Sequence, residues 1–267
     1  MIEASLSDDQ VAHFVRRGYL IVRRALRADL LARARARLWD AAPDSLKRDD
    51  PASWIGPFEP EDEDEDRGNY RKGFRWQYRA LGRELWMVDL LPKNPAVWSM
   101  VQQLLGRGQV TEPEGIRGIY CTLPQGQHEA GLDRCHVDAH PFHLGVVGYI
   151  DDVDPGGGGF RVWPASHRTF YPDFESAYRM EPTAGYEPHR ERLSQEPSVD
   201  CSGRAGDIVF WHHRLGHMAA HNHTRRIRQA VLCDFRKKDL EQAQEEPPAG
   251  DMWKDWSPAV QSVAAKL

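Results

Sequence analysis

Apolar residues in the first part of the chain recur at the spacing of one helix face, between residues that start and stop helices. Ser7 and Gln10 form a capping-box pair before the first such segment, and Gly18 ends it. The pattern predicts helices over residues 7–17, 28–39 and 95–105, with a short strand over residues 19–22. We expect these helices to act as packing elements.

Short apolar runs separated by Gly, Pro and Asp turns make up most of the remaining chain. They predict strands over residues 118–123, 144–150, 160–163, 198–201, 208–211 and 227–235. Interrupted short strands without intervening helices favour an antiparallel arrangement. We therefore predict a mainly β fold, a double-stranded β-helix of the jelly-roll or cupin-like type, with the N-terminal helices packed on its outside.

A strongly acidic segment is followed by a basic and aromatic one. Residues 59–66 carry seven carboxylates, and their mutual repulsion predicts a mobile surface loop; a lid, or a patch that attracts a cationic substrate, remains open. In the following segment an aromatic set alternates with a polar one, which predicts a strand with its aromatic face inward and its basic face outward. This segment could either pack as an ordinary part of the sheet or form a wall of the substrate pocket. The alternating residues are Phe74, Trp76 and Tyr78 on one face and Arg75, Gln77 and Arg79 on the other.

Two further segments have structural interpretations. The four glycines at residues 156–159 lack the Lys-Ser/Thr pair and the following helix of a phosphate-binding loop, so a hairpin turn is predicted. The C-terminal tail carries Trp253 and Trp256, which are expected to cover either a sheet edge or a neighbouring subunit.

Composition narrows the class of protein. The 267 residues predict one domain over residues 1–267, with a helical part at 1–106, a jelly-roll core at 107–236 and a tail at 237–267. A net charge of −5 does not favour a nucleic-acid partner. No apolar run reaches the roughly 18 residues of a membrane span and no signal sequence is visible, so a cytoplasmic location is expected. The four cysteines form no CxxC pair, which predicts free, mostly buried thiols.

A metal-ligand pattern lies in the segment CHVDAHPFH, residues 135–143. On a strand, His136 and Asp138 would point to the same face and present an imidazole and a carboxylate to one point. A third ligand is expected from residues 211–223, which hold five histidines. Two imidazoles and one carboxylate suit a non-haem Fe(II) that also binds a cosubstrate and dioxygen. A catalytic zinc, or a core histidine bonded to an aspartate, remains open at this point.

A candidate anion-binding arginine lies in the last predicted strand. Alternation puts Arg228, Ala230 and Leu232 on one face, so the arginine faces a small and otherwise apolar interior. Such an arginine requires an anion, and its planar guanidinium matches a carboxylate with two hydrogen bonds. The alternative is a salt bridge to an internal acid.

These motifs together resemble the phytanoyl-CoA dioxygenase family of Fe(II)/2-oxoglutarate oxygenases. The resemblance rests on LSDDQVAHFVRRGYLIVRRAL, HVD, GYIDDVDPGGGGFRVWPASHR and GDIVFWHHRLGHMAAHNHTRRIRQAVL. It implies that His136, Asp138 and His217 hold Fe(II) and that Arg228 binds 2-oxoglutarate, with dioxygen consumed and succinate and CO2 released. His217 is selected over its four neighbours only by the family spacing of about eleven residues to that arginine.

This chain departs from the family pattern at one position, and the resemblance also bears on which reaction is expected. The family often has a hydroxyl two residues after the distal histidine, where this chain has Ala219, so Tyr120 or Thr122 is expected to supply the second contact to 2-oxoglutarate. Family members that halogenate need a small residue in place of the carboxylate, so Asp138 favours hydroxylation, or a related oxidation such as desaturation, over halogenation. The substrate is expected to be a small molecule. A non-catalytic jelly-roll binding protein and a zinc-dependent hydrolase remain alternatives, although the hydrolase leaves Arg228 unexplained.

The remaining histidines of both segments are not expected to be metal ligands. His212, His221 and His223 are expected at the surface or behind the ligands, and His213 is the best candidate among these neighbours to face the pocket. His140 and His143 are expected either to line the substrate mouth or to serve packing.

Overall fold

The capping box predicted at the first helix is present. The Ser7 hydroxyl accepts a hydrogen bond from the Gln10 N–H at 3.3 Å, the Gln10 side chain accepts one from the Ser7 N–H at 2.9 Å, and Gly18 ends the helix at a φ of +79°. The computed structural model describes residues 5–267. All three predicted helices are confirmed in it. The α-helices of the described chain are α1 (Asp8–Arg17), α2 (Ala28–Trp39), α3 (Leu85–Leu90), α4 (Pro95–Leu105), α5 (Ser166–Phe170), α6 (Tyr186–Ser194), α7 (Leu240–Ala243) and α8 (Pro258–Ala264).

The strands form two antiparallel sheets. One has seven strands in the order β1-β8-β5-β10-β4-β3-β2, and the other has three in the order β7-β6-β9. The predicted mainly β, jelly-roll class is confirmed, whereas the short strands β2 and β9 had not been predicted. The strands are β1 (Tyr19–Val22), β2 (Asn69–Lys72), β3 (Arg75–Tyr78), β4 (Gly118–Thr122), β5 (Leu144–Tyr149), β6 (Phe160–Val162), β7 (Val199–Cys201), β8 (Ile208–His212), β9 (His217–Ala219) and β10 (Arg228–Phe235).

The seven-stranded sheet is covered on both faces, and alternate residues of its strands face different layers. On β5, Val146 packs in the core that α1, α2 and α4 share with the sheet, while Val147 packs in the space between the two sheets. The same alternation on β8 sends Phe210 towards the helices and Trp211 between the sheets. The helices therefore lie outside the jelly roll, as predicted.

The acidic segment, residues 59–66, is mostly exposed, as predicted, and it folds back on β2. The Arg71 Nε donates to the Asp62 carbonyl at 2.8 Å, and an Arg71–Asp64 ion pair of 3.4 Å lies beside it. The Glu63 carboxylate accepts the Gly73 N–H at 2.8 Å. These bonds attach the segment to the edge of the sheet; its mobility and its role as a lid remain predictions.

The glycine-rich segment after β5 forms a turn, in which Gly157 donates to the Asp154 carbonyl at 2.8 Å and Gly156 has a φ of +73°. The prediction of a turn is confirmed. The prediction of a hairpin is wrong, because β5 belongs to the large sheet and β6 to the small one. The turn carries the chain from one sheet to the other.

The tail tryptophans pack on the same chain. The ring centroids of Trp253 and Trp256 lie 6.0 and 5.3 Å from that of Phe14 on α1, and Trp256 stacks on His212 at 5.2 Å. These contacts account for the burial of both indoles. All four cysteines are free and buried, as predicted. Across residues 5–267, no helix has the length and apolar character needed to cross a membrane.

Candidate active site

The two histidine-bearing segments are joined through their main chains. The His136 N–H donates to the His217 carbonyl at 3.1 Å, and the His217 N–H donates to the His136 carbonyl at 2.9 Å. The imidazole centroids consequently lie only 4.7 Å apart. A reciprocal backbone pair thus brings together side chains that are distant in sequence.

Asp138 completes a group of three possible ligands. One ligand atom from each of His136, Asp138 and His217 lies within 4.8 Å of the others, and His217 Nε2 is 3.7 Å from Asp138 Oδ2. The Leu215 carbonyl can only accept, so the 2.9 Å contact to His217 Nδ1 places the proton on that nitrogen. His217 Nε2 is left with a lone pair directed at the group. Such a set is able to hold a divalent cation.

The local electrostatics keep His136 and Asp138 in the protonation states of metal ligands. Desolvation and the neighbouring His217 lower the pKa of His136 to about 4, so this imidazole is neutral at pH 7. Burial acts to raise the pKa of Asp138, but His217 and Arg117 outweigh it and hold that pKa well below its usual range. The neutral His136 imidazole, the His217 imidazole and one carboxylate therefore face the same point.

Behind Asp138 lies an arginine that the sequence analysis missed. The Arg117 guanidinium donates to Asp138 at 2.8 Å and to both oxygens of Asp234 at 2.7 and 2.6 Å. His140 Nε2 lies 2.7 Å from Asp234 and 3.1 Å from Arg117. His140 therefore belongs to this polar network. Asp138, His140 and Asp234 could themselves form a second cation site, but Arg117 already bonds to all three.

Arg228 is buried and has no acidic partner. Its Nη1 donates to the Tyr120 carbonyl at 3.2 Å, and its Nε is buried without a hydrogen bond. Across residues 5–267, no carboxylate oxygen lies within 4.0 Å of its guanidinium nitrogens, so the internal salt bridge is absent. Burial lowers the pKa of Arg228. An anion that enters from outside would satisfy the free donor.

A cavity of about 540 Å³ contains both the three-ligand group and Arg228. Tyr120 and Thr122 of β4 also line it, but their hydroxyls differ. The Tyr120 hydroxyl is 3.0 Å from the Nε of Arg79, whereas the Thr122 hydroxyl has no hydrogen-bond partner in the described chain. Thr122 is the cross-strand neighbour of Arg228. Its hydroxyl is therefore the less engaged of the two.

The two faces of β3 have different environments. Trp76 and Tyr78 are buried in the core on the helical side, which confirms the inward aromatic face. Arg75, Gln77 and Arg79 on the other face line the cavity. Phe74, which directly precedes the strand, is half-buried and lines the cavity too. The basic face is thus a cavity wall and not only an outer surface of the sheet.

The remaining histidines are distributed differently from the expectation. The assignment of His213 to the pocket is wrong: Trp211 faces the cavity, the strand ends one residue later, and His213 packs against Tyr178 at a ring distance of 4.6 Å. Of the two positions expected for His212, at the surface or behind the ligands, the surface is excluded because its side chain is buried. His143 is buried among core residues as well. His221 is the neighbour that lines the cavity, 3.3 Å from Gln125.

Comparison with known proteins places these features in a family. The sequence profile of the family described as phytanoyl-CoA dioxygenase (PhyH) matches residues 14–230. No significant match was found among curated proteins.

Several solved structures share the fold at low sequence identity. EctD from S. alaskensis, solved with 2-oxoglutarate and 5-hydroxyectoine, is 18% identical with a TM-score of 0.57 over 90% of this chain and 79% of its own. The non-haem α-ketoglutarate-dependent carbocyclase SnoK from nogalamycin biosynthesis is 18% identical with a TM-score of 0.54 over 92% and 95%. The corresponding epimerase SnoN is 21% identical with a TM-score of 0.52 over 92% and 93%.

Proposed function

Because the chain belongs to the phytanoyl-CoA dioxygenase family, we propose that it is an Fe(II)- and 2-oxoglutarate-dependent dioxygenase that hydroxylates a small molecule. One observation carries the proposal: the two-histidine, one-carboxylate group and a buried arginine without an acidic partner share one cavity. Each half alone has other interpretations. Their combination matches an enzyme that needs a metal and an anionic cosubstrate side by side.

The three proposed iron ligands are His136, Asp138 and His217. Their donor atoms are two imidazole nitrogens and one carboxylate oxygen, a set that leaves coordination positions open for cosubstrate and dioxygen. When bound, Fe(II) supplies the oxidative chemistry by which 2-oxoglutarate, dioxygen and a substrate C–H bond give succinate, CO2 and a C–OH bond. The contribution of the protein is to fix these ligands and the substrate in the cavity.

The 2-oxoglutarate anchor in this proposal is Arg228, whose free Nε is a donor for the distal carboxylate. Thr122 is the better candidate than Tyr120 for the second contact, since its hydroxyl is unengaged and lies on the strand position opposite Arg228. Ala219 lines the same cavity and offers no hydrogen bond from its side chain. Thr122 would thus take the part that a hydroxyl at position 219 has in other family members.

Hydroxylation is the proposed outcome because Asp138 occupies the ligand position that a halogenating enzyme leaves open for halide. The inner end of the cavity also has apolar walls, formed by Phe160, Trp211 and Leu232. Apolar walls reduce the water available near the reacting C–H bond.

The proposal is tested by spectroscopy on the Fe(II)-loaded protein under anaerobic conditions. Adding 2-oxoglutarate should produce a weak metal-to-ligand charge-transfer band, which His217→Ala should abolish and Arg228→Ala should weaken. His223→Ala is the matched control, because His223 is exposed in the same segment. If wild-type protein gives no band and binds only zinc, the oxygenase assignment fails.

Turnover separates the proposal from its two alternatives. An oxygenase should release succinate and CO2 from 2-oxoglutarate in the presence of dioxygen, and a substrate should stimulate that release. A non-catalytic binding protein would form the charge-transfer band without any turnover. A zinc hydrolase would need neither dioxygen nor 2-oxoglutarate, and it would be insensitive to Arg228→Ala.

A further inference from the structure

A row of three residues crosses three neighbouring strands on the cavity side of the large sheet. Arg75 on β3 pairs in register with Thr122 on β4, and Thr122 pairs with Arg228 on β10. All three side chains line the cavity. Since neighbouring strands are about 4.8 Å apart, the backbones at the two ends of the row are separated by about 10 Å. The cavity therefore has a basic group at each end of this row.

The two arginines differ in depth. Arg228 is buried at the inner end, whereas Arg75 is exposed towards the outer part of the cavity. Because the two arginines differ in depth and their backbones are about two strand spacings apart, the row has room for two anions to bind at the same time. If 2-oxoglutarate occupies the inner end, a second anionic group can occupy the outer end.

Arg75 also differs from the other cations of the cavity in its lack of partners. Lys72 is paired with Glu65, Arg79 bonds to Gln77 and to the Tyr120 hydroxyl, and Arg117 is held by its two aspartates. The Arg75 side chain makes no hydrogen bond or ion pair with any residue of the described chain. It is the cavity-lining arginine whose whole guanidinium is available to a ligand.

We propose that Arg75 binds an oxyanion of the substrate, a carboxylate or a phosphate, and that the substrate is therefore a small anionic molecule. This inference rests on the function proposed above. The charge of the lining agrees with it: apart from Lys72 and Arg117, which are paired with acids, Arg75, Arg79 and Arg228 face one further carboxylate, Glu129. Arginine matches both oxyanions with two parallel hydrogen bonds.

Apolar side chains of the same cavity indicate what the rest of the substrate contacts. Phe74 and Met218 line the cavity together with Arg75. The acidic segment at residues 59–66 does not oppose an anionic substrate, because among the described residues none of its members lines the cavity, and part of its charge is paired with Arg71 and Lys72. An aromatic or aliphatic body with one terminal oxyanion fits these surroundings.

Three probes of similar shape test the inference: benzoate, phenyl phosphate and the neutral benzamide. Binding is measured by calorimetry to the Fe(II)-loaded protein at saturating 2-oxoglutarate without oxygen. At least one anion should bind about tenfold more tightly than benzamide, and Arg75→Gln should weaken that anion by about tenfold while leaving benzamide unchanged. The preferred anion distinguishes a carboxylate substrate from a phosphate. Arg16→Gln, an exposed arginine on α1, is the control and should bind the probes like wild type.

Several outcomes would overturn the inference. These are equal affinity for the anions and benzamide, no saturable anion binding, or unchanged anion affinity in Arg75→Gln. Loss of the charge-transfer band in Arg75→Gln would also overturn it, because Arg75 would then serve 2-oxoglutarate. If the wild-type band forms and the anions fail to bind, only this inference falls. If the wild-type band is absent, the proposed function falls and this inference falls with it.

Discussion

Arg117 donates a hydrogen bond from Nη2 to Oδ2 of Asp138 over 2.8 Å. The oxygen that accepts this bond is also the one that lies 3.7 Å from His217 Nε2. Asp234 accepts hydrogen bonds from Nε and Nη2 of the same guanidinium, so the orientation of Asp138 is determined by a partly buried ion network. Groups that orient a metal ligand from behind commonly change metal affinity by about 10- to 100-fold.

Replacing Arg117 should therefore weaken iron binding. We expect Arg117→Met to lower Fe(II) affinity by about 10- to 100-fold, because Asp138 loses its orienting donor. Arg117→Lys should lose less Fe(II) affinity, since lysine keeps the positive charge but lacks the planar guanidinium that bonds to Asp138 and Asp234 together. Anaerobic Fe(II) titration against a competing chelator measures the effect, and thermal unfolding checks that each variant is folded. A folded Arg117→Met variant with wild-type Fe(II) affinity would contradict the assigned role.

Removing the carboxylate itself should have a larger effect on turnover. Asp138→Ala deletes one of the three proposed ligands, so substrate-stimulated succinate release should fall by at least about 100-fold. The readout is succinate formed per enzyme with and without substrate. Full activity in this variant would show that Asp138 is not a ligand, and it would also remove the reason for preferring hydroxylation.

A group of buried histidines predicts sensitivity to acid. Burial lowers the pKa of His143 and of His167 to about 3, and it holds the pKa values of His212 and His213 well below the ordinary value. These imidazoles are neutral in the folded protein but take up protons on unfolding below about pH 6.5. The free energy of unfolding should therefore fall as the pH drops from about 6.5 towards 3. Each histidine contributes a slope of up to about 1.4 kcal/mol per pH unit.

The slope is the quantity to measure, because any core substitution also changes the stability itself. Urea unfolding between pH 4 and 6 should show a shallower pH dependence for His143→Met than for wild type. His223→Gln, which changes an exposed histidine, should leave the slope unchanged. An unaltered slope in His143→Met would mean that this imidazole is not held neutral by the fold.

Gly145 is required by the close approach of an indole. A Cβ at this position on β5 would lie 2.2 Å from the Trp211 ring, and Trp211 lines the cavity. Gly145→Ala should cost about 1–3 kcal/mol of unfolding free energy, as overpacking usually does, and it should displace the indole. Denaturant unfolding and Trp fluorescence report the two effects. Gly250→Ala, where a Cβ meets open space, should be close to neutral.

Much of the fold could be predicted because its helices and strands have clear boundaries in the sequence. The capping box, the glycine stops and the alternating runs fixed the long elements to within one or two residues. The elements that were missed lack such patterns. α6 buries only Tyr186 and Leu193, and β2 is a polar edge strand that depends on pairing with β3.

The candidate site could be predicted only where its chemistry is local. His136 and Asp138 are two residues apart, and the alternation of β10 directed Arg228 inward. His217 could not be separated from four neighbouring histidines without the family resemblance, because the choice depends on its backbone pairing with His136. Arg117 could not be predicted either, because its contacts also depend on the fold: its partners Asp138 and Asp234 lie 21 and 117 residues away in the sequence.

The reciprocal backbone pair between His136 and His217 has a consequence for the order of assembly. Because main-chain hydrogen bonds already hold the two imidazoles side by side, the protein does not have to close a loop around an incoming ion. The conformational entropy of bringing the segments together is lost when the chain folds, and metal binding is spared that cost. The amide protons of both residues should therefore exchange slowly with solvent deuterium even in metal-free protein.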